Sequence, residues 1–430
     1  MNTHFLNCSL KDIMSESDEN TNSTATCKSI KTDLELMSDG IDIHCDLEVP
    51  KHRPEWLNKE LYDLGQKFFW DNPYPVLKCC LRSLIIGMSI PNLCIPLILT
   101  KRSETKGKSR TRYLQTVGHV SAWYTRTRSK HVSPPNMQRS TSVEMAMPFE
   151  KVAKHHQQAA KFVRQWSKED TRREQALSIL NNLPDLQEFQ GLNKLDEVLL
   201  ENLSQLKEKH FKDEEFEFYS YYINTNTAFS QMDMALVQIA FVNLIALPDH
   251  FGVQHATNQD FTAFAHLWRV IGYYLGIKDE YNLLRLDTLE ATRSLLTDVN
   301  NQILIPALLD LDEMSLHMIK MFSRAFYRDY HVIIYEYSLG LGLELKLLWC
   351  NFTVQQKIRH YCHRLLDYSY SKFPLFRKYF NKVLNHFYKI FVQKIHAVFG
   401  VNTPMVRKSS TVLDSLNLLS PQNTKPFARS

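Results

Sequence analysis

The stretch Asp260-Phe-Thr-Ala-Phe-Ala-His-Leu-Trp-Arg-Val-Ile-Gly-Tyr-Tyr-Leu275 repeats apolar residues at intervals of three and four positions. This spacing places Phe261, Phe264, Trp268 and Ile271 on one face of an α-helix, because a helix completes a turn every 3.6 residues. A glycine follows the stretch directly and can end the helix in a left-handed cap. The stretch therefore predicts a helix that packs one apolar face into a core.

The same helical periodicity recurs along most of the chain, whereas the alternation typical of strands is scarce. Further helices are predicted at residues 111–125, 149–166, 173–183, 230–247, 288–309 and 311–328. Ser230 and Asp233 have the spacing of a capping pair at a helix start. Only 12 of the 430 residues are glycine, which argues against a turn-rich sandwich or barrel. The sequence therefore predicts an all-α fold with a single large multi-helix domain.

The two ends of the chain differ in composition from its middle. Residues 1–55 are rich in Ser, Asn, Thr and acidic residues, and residues 401–430 are similarly polar. Such segments cannot bury enough apolar area to offset the entropy of ordering them. We therefore expect disordered termini around a helical domain at 56–400. The N-terminus lacks a basic region followed by an apolar run, which disfavours a signal-peptide route.

Charge and cysteine content exclude two classes of protein. The net charge is +5, and the basic clusters at 101–112 and 126–130 belong to no recognisable nucleic-acid-binding module, so nucleic acid is not an expected partner. The eight cysteines show no Cys-x-x-Cys spacing, which argues against a zinc site or a disulfide framework. Cys79 and Cys80 are expected to pack as small hydrophobic residues.

Two candidate helices carry polar chemistry on a face that ought to be apolar. On the first, Arg112, Thr116, His119 and Trp123 recur at intervals of three and four and so form a single stripe. That stripe has the character of one wall of a site. His119 in particular is either an acid-base group in this site or a hydrogen-bonded core imidazole.

On the second helix, the same arithmetic separates two neighbouring histidines. His156 shares its face with Val152 and Ala159, whereas His155 lies on the side of Lys151. The pattern predicts that His156 points inward, among alanines that leave open space beside it. A flat macrocycle needs small residues beside its axial ligand, so haem is the natural occupant to test. A hydrogen-bonded core histidine is the alternative.

These residues also carry a resemblance to a known family. The chain is similar to the family of the fungal endoplasmic-reticulum oxygenase MpaB and the bacterial rubber oxygenase (latex clearing protein). The similarity covers roughly residues 60 to 300, and the last of its four matches is the most specific. The matches are Arg112-x-x-x-Thr116, Val152-x-x-x-His156, Ser230-Gln-Met-Asp-Met-Ala-Leu-Val-Gln238 and Trp268-Arg-x-x-Gly-x-x-x-Gly276.

The resemblance implies a haem-dependent oxygenase. It implies a b-type haem whose iron is ligated by His156, with Arg112 contacting a propionate or the reacting oxygen species. Arg112, Thr116 and His119 would then form the catalytic wall. The implied reaction uses molecular oxygen to oxygenate or cleave a carbon-carbon double bond in an apolar, isoprenoid-like small molecule. Whether that molecule is a terpenoid, a sterol or a fatty acyl chain is left open.

The chain departs from the family at four positions. Ala153 stands where the family has arginine, Asn243 where glycine is common, and Gln115 where rubber oxygenases carry lysine. Glu104 is too close to Arg112 to match the family's upstream glutamate base. These departures affect the rubber-cleaving mechanism more than haem binding. They leave a non-catalytic alternative open, a helical haem or lipid carrier or a membrane-associated scaffold.

Two segments are expected to contact a membrane. Residues 83–100 are uncharged but interrupted by Pro91, Asn92 and Pro96, which predicts a broken hydrophobic hairpin, either buried or dipping into a bilayer. After Asn351 the chain interleaves aromatic and basic residues, as in an interfacial amphipathic helix. A cationic face on an ordinary packed helix explains the second pattern almost as well.

Residues 332–352 are also apolar but contain charged residues, and they are predicted to form a core helix, with membrane contact as the alternative. From the two segments with membrane character we expect a protein associated with an intracellular membrane. The family's name points to the endoplasmic reticulum, and a cytoplasmic location is the alternative.

Overall fold

The structure is a computed structural model of the chain. It describes residues 38–45, 50, 52–125, 138–167, 172–183, 192–210, 216–225, 227–246, 253, 255–282, 284, 288–326 and 329–399. The predictions for residues 1–37 and 401–430 lie outside this part of the chain.

The described chain is a helical assembly without strands, so the all-α prediction is confirmed. The helices are α1 (Lys59–Asp71), α2 (Pro73–Gly87), α3 (Pro91–Leu99), α4 (Lys106–Trp123), α5 (Gln138–Ser167), α6 (Arg172–Asn181), α7 (Lys194–His210), α8 (Glu217–Ile223), α9 (Gln231–Ile239), α10 (Asn243–Ala246), α11 (Asn258–Tyr274), α12 (Leu289–Val299), α13 (Ile305–Leu309), α14 (Glu313–Phe326), α15 (Tyr330–Gly340), α16 (Lys346–Asn351), α17 (Val354–Lys372) and α18 (Pro374–Phe399).

The capping signals in the sequence have their expected effect. Ser230 and Asp233 exchange side-chain and backbone hydrogen bonds at the start of α9, and Thr257 does the same with Asp260 at the start of α11. Gly276 follows α11 with φ of 96°, a left-handed conformation that glycine adopts without steric cost. These groups satisfy backbone donors and acceptors that the helix ends would otherwise leave unpaired.

Three predicted helices are interrupted in the structure. Within the helix predicted at 230–247, the described residues form α9 and α10 with a turn between them. Residues 332–352 are divided between α15 and α16 where Gly342 has φ of 76°. Residues 288–309 contain a π-helical turn, Asn300–Leu304, just before Pro306. Proline lacks the N–H that continues the regular hydrogen bonding, which fits a local widening at this point.

A few helix pairs frame the interior. Helix α11 lies along α1, and α4 packs against α14, α18 and α5. Helices α3 and α9 also contact each other, and α5 touches both α3 and α11. Phe149 of α5 stacks on Tyr274 of α11 with ring centroids 5.2 Å apart. These contacts leave a space between α3, α4, α5, α9 and α11.

The predicted hydrophobic hairpin at 83–100 is part of this interior. Helices α2 and α3 meet at 87°, and together they have the length and apolar composition of a membrane span. Among the described residues, no helix alone meets that description. Most side chains of α3 are buried, as are Ile85 and Ile86 of α2. The hairpin thus packs in the way that the buried interpretation describes.

Residues 38–45 are packed, although they belong to the N-terminal segment predicted to be disordered. Ile41 and Cys45 are buried, and the Cys45 thiol donates a hydrogen bond to the Gly276 carbonyl at 2.9 Å. Arg164 of α5 donates to the Cys45 carbonyl at 3.0 Å. The segment predicted to be disordered, residues 1–55, therefore contains a stretch that packs against the helices.

Candidate functional site

A cavity lies between α2, α3, α4, α5, α9 and α11. It offers about 240 Å³ to the centres of water-sized molecules, and about 1660 Å³ lies between its walls when the open mouth is included. Most of its wall is apolar, which suits a hydrophobic ligand. The apolar wall includes Leu84, Met88, Leu93, Leu97, Val120, Val152, Val237, Phe241 and Ile271.

All four predicted site residues lie on the wall of this cavity. Arg112, Thr116 and His119 reach it from α4, and His156 reaches it from α5. Trp123, the last member of the α4 stripe, also contributes. Helical spacing on two neighbouring helices thus brings together residues that are about forty positions apart in the chain.

His156 has an unsatisfied imidazole. Its Nδ1 atom is buried and has no hydrogen-bond partner. Burial, followed by the nearby Arg112 guanidinium, lowers the pKa of His156 to about 4. The ring is therefore neutral at physiological pH, which is the state that ligates a metal ion.

The alanines around His156 differ in their surroundings. Ala159 lines the cavity, two helical turns after Val152. Ala153 and Ala160 are buried, and Ala160 packs against Met234 and Ile277. Of the three alanines, Ala159 therefore borders the open space beside the imidazole. Ala153 and Ala160 do not line the cavity, contrary to the expectation from the sequence.

His155 also lines the cavity, which corrects the sharp separation predicted from helix faces. Adjacent residues on a helix differ by about 100° in direction, and the cavity extends far enough around α5 to include both. The pKa of His155 is lowered by burial and by the positive charges of Arg102 and Lys151. His155 is half-buried, and it has no fully buried, unpartnered nitrogen such as that of His156.

Two arginines stand on the cavity wall. Arg112 donates from Nη1 to the Ser103 hydroxyl at 3.0 Å, and its guanidinium lies over the Tyr113 ring at 5.2 Å. Arg102, just before α4, also lines the cavity. Burial and the charge of Arg112 lower the pKa of Arg102, so the two cations are close enough to repel each other. An anionic group in the cavity would offset that repulsion.

Sequence reasoning missed Arg102, because helical spacing identifies partners only within a helix. The signal that could have found it is the basic run beginning at residue 101.

Thr116 and His119 provide the other polar chemistry on the α4 wall. The Thr116 hydroxyl donates to the Arg112 carbonyl at 3.1 Å, which leaves its lone pairs available to accept. His119 is almost fully buried, and burial together with the charge of Lys151 lowers its pKa to about 4. A neutral imidazole of this kind can accept or donate a proton.

Helices α9 and α11 approach each other closely at the opposite wall. Gln238 of α9 donates to the Trp268 carbonyl at 2.6 Å and to Asn282 at 3.1 Å. A Cβ atom at Gly272 would lie 2.3 Å from the Gln238 amide nitrogen. Gly272 is therefore needed for this contact, which accounts for a glycine within the Trp-Arg-x-x-Gly block.

The two residues at the start of that block have packing roles, as expected. Trp268 is buried and stacks on Phe241 at 4.2 Å, and its side chain also forms part of the cavity wall. Arg269 lies 3.8 Å over the Trp56 ring, a cation–π contact that joins α11 to the chain just before α1. His266 accepts a hydrogen bond from the Asn58 N–H at 3.1 Å, so it is a satisfied structural histidine.

The departures from the family pattern also have structural settings. The amides of Asn243 and Asn300 exchange hydrogen bonds of 2.7 and 3.1 Å and are both buried. Ala153 is fully buried, so an arginine at this position would need space that the packing does not provide. Glu104 pairs with Lys108 and is not part of the cavity wall.

Within the described residues, no group of three or more His, Cys, Asp or Glu side chains could hold a metal ion by itself. A metal at His156 would therefore have to bring most of its other ligands with it. No family model, curated protein or solved structure matches this chain. The resemblance to the MpaB and rubber oxygenase family rests on the four motifs quoted above.

Proposed function

We propose that this protein is a haem b-dependent oxygenase that acts on an apolar, isoprenoid- or lipid-like small molecule. One observation carries the proposal: the buried Nδ1 atom of His156 has no partner, and His156 lies on the wall of a largely apolar cavity that also contains Arg112. Burying an unsatisfied polar atom costs about 1–3 kcal/mol. A ligand that bonds to the imidazole would satisfy this atom and remove the cost.

Haem fits the side chains that surround the cavity. A porphyrin supplies four ligands to its iron, so a single neutral imidazole such as His156 can complete the site. Arg112 and Arg102 would hold the propionates, whose negative charges offset the repulsion between the two guanidinium groups. When bound, haem would supply the oxidative chemistry with molecular oxygen.

The protein's own groups would orient the reactants and exclude water. The aliphatic and aromatic wall binds an apolar substrate and keeps bulk water away from it. The Thr116 hydroxyl can accept a hydrogen bond from a bound group while its own O–H donates to the Arg112 carbonyl. His119 can take up or release a proton at a ring nitrogen, since burial keeps it neutral near pH 7.

A carrier of haem or of an apolar lipid is the second candidate. Glu104 pairs with Lys108 away from the cavity, and Gln115 stands where rubber oxygenases have lysine. These two observations favour a protein that binds without turning over. A carrier would need the cavity and His156 but not the polar wall of α4.

The test begins with the purified full-length protein incubated with haem. Its visible spectrum is recorded in the reduced state without oxygen and again after oxygen is admitted. Oxygen uptake is then measured with three probes: squalene, a sterol and an unsaturated fatty acid. The proposal predicts a Soret band, oxygen-dependent spectral changes and uptake with at least one probe. A colourless protein contradicts haem binding, and a Soret band without uptake favours the carrier.

A further inference from the structure

The two C-terminal helices carry large apolar side chains on their outer surface. We call these residues the apolar face. On α17 and the turn that follows they are Val354, Ile358, Tyr361, Leu365, Tyr368 and Phe373, and on α18 they are Leu375, Phe376, Tyr379, Val383, Phe387, Phe391 and Val398. Scattered exposed hydrophobic residues are normal, but thirteen of them on two helices that contact each other mark an interaction surface.

The apolar face follows the helical repeat. Exposed apolar residues of α17 begin at Val354 and continue at intervals of four and three positions to Tyr368. This spacing confines them to one narrow stripe. On α18 the exposed residues from Leu375 to Phe391 recur mostly every four positions. Each helix therefore has a stripe of apolar side chains exposed to solvent.

The opposite sides of these helices are already used in packing. His396 of α18 donates to the Gly118 carbonyl of α4 at 3.0 Å, and Tyr388 hydrogen-bonds to Ser121. Asn385 donates to the Trp70 carbonyl at 2.8 Å. On α17, Asp367 pairs with Lys78 of α2. The helices are thus held against the body by inner sides that combine these polar contacts with buried apolar residues such as Val392 and Ile395 of α18.

The charge around the apolar face is positive. Residues 354–399 contain nine Lys and Arg residues and a single acidic residue, Asp367. Asp367 is buried in its pair with Lys78, so it does not offset the positive surface. Lys378, Lys382 and Lys389 are exposed beside the apolar residues of α18. The apolar face with its lysines is therefore complementary to a partner that has an apolar interior covered by negatively charged groups.

We infer that the apolar face docks on an anionic lipid membrane, with α17 and α18 lying along its surface. Apolar and aromatic side chains would enter the boundary between headgroups and acyl chains, while the lysines contact lipid phosphates. A protein partner would more often offer carboxylates matched to individual cations. The inference is independent of haem binding, because none of these side chains lines the cavity.

The experiment measures sedimentation of the full-length protein with lipid vesicles. Vesicles of phosphatidylcholine alone are compared with vesicles that also contain phosphatidylserine. We expect strong binding only to the anionic vesicles. Raising the salt from about 0.1 M to about 1 M shortens the Debye length from ~10 Å to ~3 Å, so part of the binding should be lost. Apolar burial should retain the remainder.

Two double variants separate the apolar and charged contributions. Leu375→Gln with Phe387→Gln should lower the partition coefficient at least about tenfold, because two exposed apolar side chains are removed. Lys378→Gln with Lys382→Gln should lower it about 30-fold on anionic vesicles, since each lysine near the surface contributes about 1 kcal/mol. All four side chains are exposed, so folding should be retained.

Matched controls change the same residue types on other surfaces. Phe162→Gln with Tyr221→Gln removes two exposed aromatic side chains outside the apolar face. Lys154→Gln with Lys161→Gln removes two exposed lysines of α5. Both controls should bind anionic vesicles as the wild type does. An equal loss in a control and in its partner variant would overturn the assignment of the face.

Absence of binding by the full-length protein would also overturn the inference, and two further measurements would identify the true occupant. If residues 1–400 bind vesicles and the full chain does not, residues 401–430 cover the face. If neither binds, and the wild type is a dimer that Leu375→Gln with Phe387→Gln makes monomeric, the face joins two copies of the chain.

Discussion

His156 is the residue on which the account depends, and its setting has an unusual consequence for stability. Replacing a buried polar residue usually costs stability because its hydrogen-bond partner is left unsatisfied. The Nδ1 atom of His156 has no such partner. We expect His156→Leu in the haem-free protein to change the free energy of unfolding by less than about 1 kcal/mol.

His266→Leu is the matched control for that measurement. His266 accepts a hydrogen bond from the Asn58 N–H at the start of α1, so its loss should destabilise the protein by about 1–2 kcal/mol. Denaturant unfolding of both haem-free variants provides the comparison. A larger loss for His156→Leu than for His266→Leu would mean that the imidazole of His156 has a structural partner.

The neutral state of His156 predicts how haem binding depends on pH. Burial and Arg112 lower its pKa to about 4, so the free imidazole stays available for iron as the pH falls through 6.5. Only as the pH approaches about 4 does a proton compete with the metal, and haem should then dissociate. The Soret band should therefore persist at pH 6 and decline near pH 4. Loss centred near pH 6.5 would indicate an exposed ligand.

Thr116 tests the catalytic wall of α4. Thr116→Ala should leave the Soret band unchanged and lower turnover about 10–100-fold, because a positioned group is lost but the haem ligand is not. Thr111→Ala is the control on the same helix. Its hydroxyl makes the same kind of bond, to the Gly107 carbonyl at 3.0 Å, but it is exposed. Equal turnover by the two variants would remove Thr116 from the mechanism.

At the scale of the side chain, the sequence predicted the wall residues because they share helices. Arg112, Thr116 and His119 follow from helical spacing alone, as does the orientation of His156. Arg102 and the cavity-facing position of His155 could not be predicted in this way. They depend on how wide the cavity is and on where the chain before α4 runs, and both are set by tertiary packing.

At the scale of the element, Asn243 shows how the helices accommodate a departure from the family pattern. Asn243 and Asn300 exchange two buried hydrogen bonds between α10 and the π-helical turn. Asn243→Gly, which introduces the glycine common in the family that the chain resembles, should leave Asn300 with fewer partners and lower the free energy of unfolding by about 1–3 kcal/mol. Denaturant unfolding measures this. A variant as stable as the wild type would show that the amide pair contributes nothing net.

The helical type of the chain was predictable, but several helices and their interruptions were not. Periodicity placed both ends of α11 within two residues and the start of α4 within five, because each has one continuous buried face; it did not identify α1 or α7, and it began α5 eleven residues late. It could not locate the breaks after α9 and α15. Both sides of those breaks are apolar, so the pattern continues while the chain changes direction.

The same limit applies to the hydrophobic hairpin of α2 and α3. Its composition is that of a broken membrane span. Its side chains are buried because other helices pack around it, and the sequence pattern alone does not show that packing. The aromatic and basic segment after Asn351 was explained almost as well by an ordinary packed helix as by an interfacial one. The structure buries some of its apolar side chains, such as Tyr370 and Tyr388, and leaves others exposed in two stripes, which is why the membrane inference rests on α17 and α18.

At the scale of the whole molecule, the fold joins two surfaces of different character. An interior cavity carries three histidines and two arginines, and a cationic apolar face lies on the outer side of the C-terminal helices. Helix α4 connects them, because it lines the cavity and also packs against α18. Each surface has its own test, so a failure of one leaves the other standing.

The central claim is that His156 ligates haem iron, and one comparison tests it most directly. Wild-type protein, His156→Ala and the neighbouring control His155→Ala are loaded with haem under the same conditions, and the Soret absorbance per protein is measured. Both histidines line the cavity, so the comparison separates ligation from simple proximity. The account predicts that His156→Ala abolishes the Soret band of bound haem while His155→Ala keeps it nearly intact. Equal haem content in the wild type and His156→Ala, or equal loss in both variants, would contradict it.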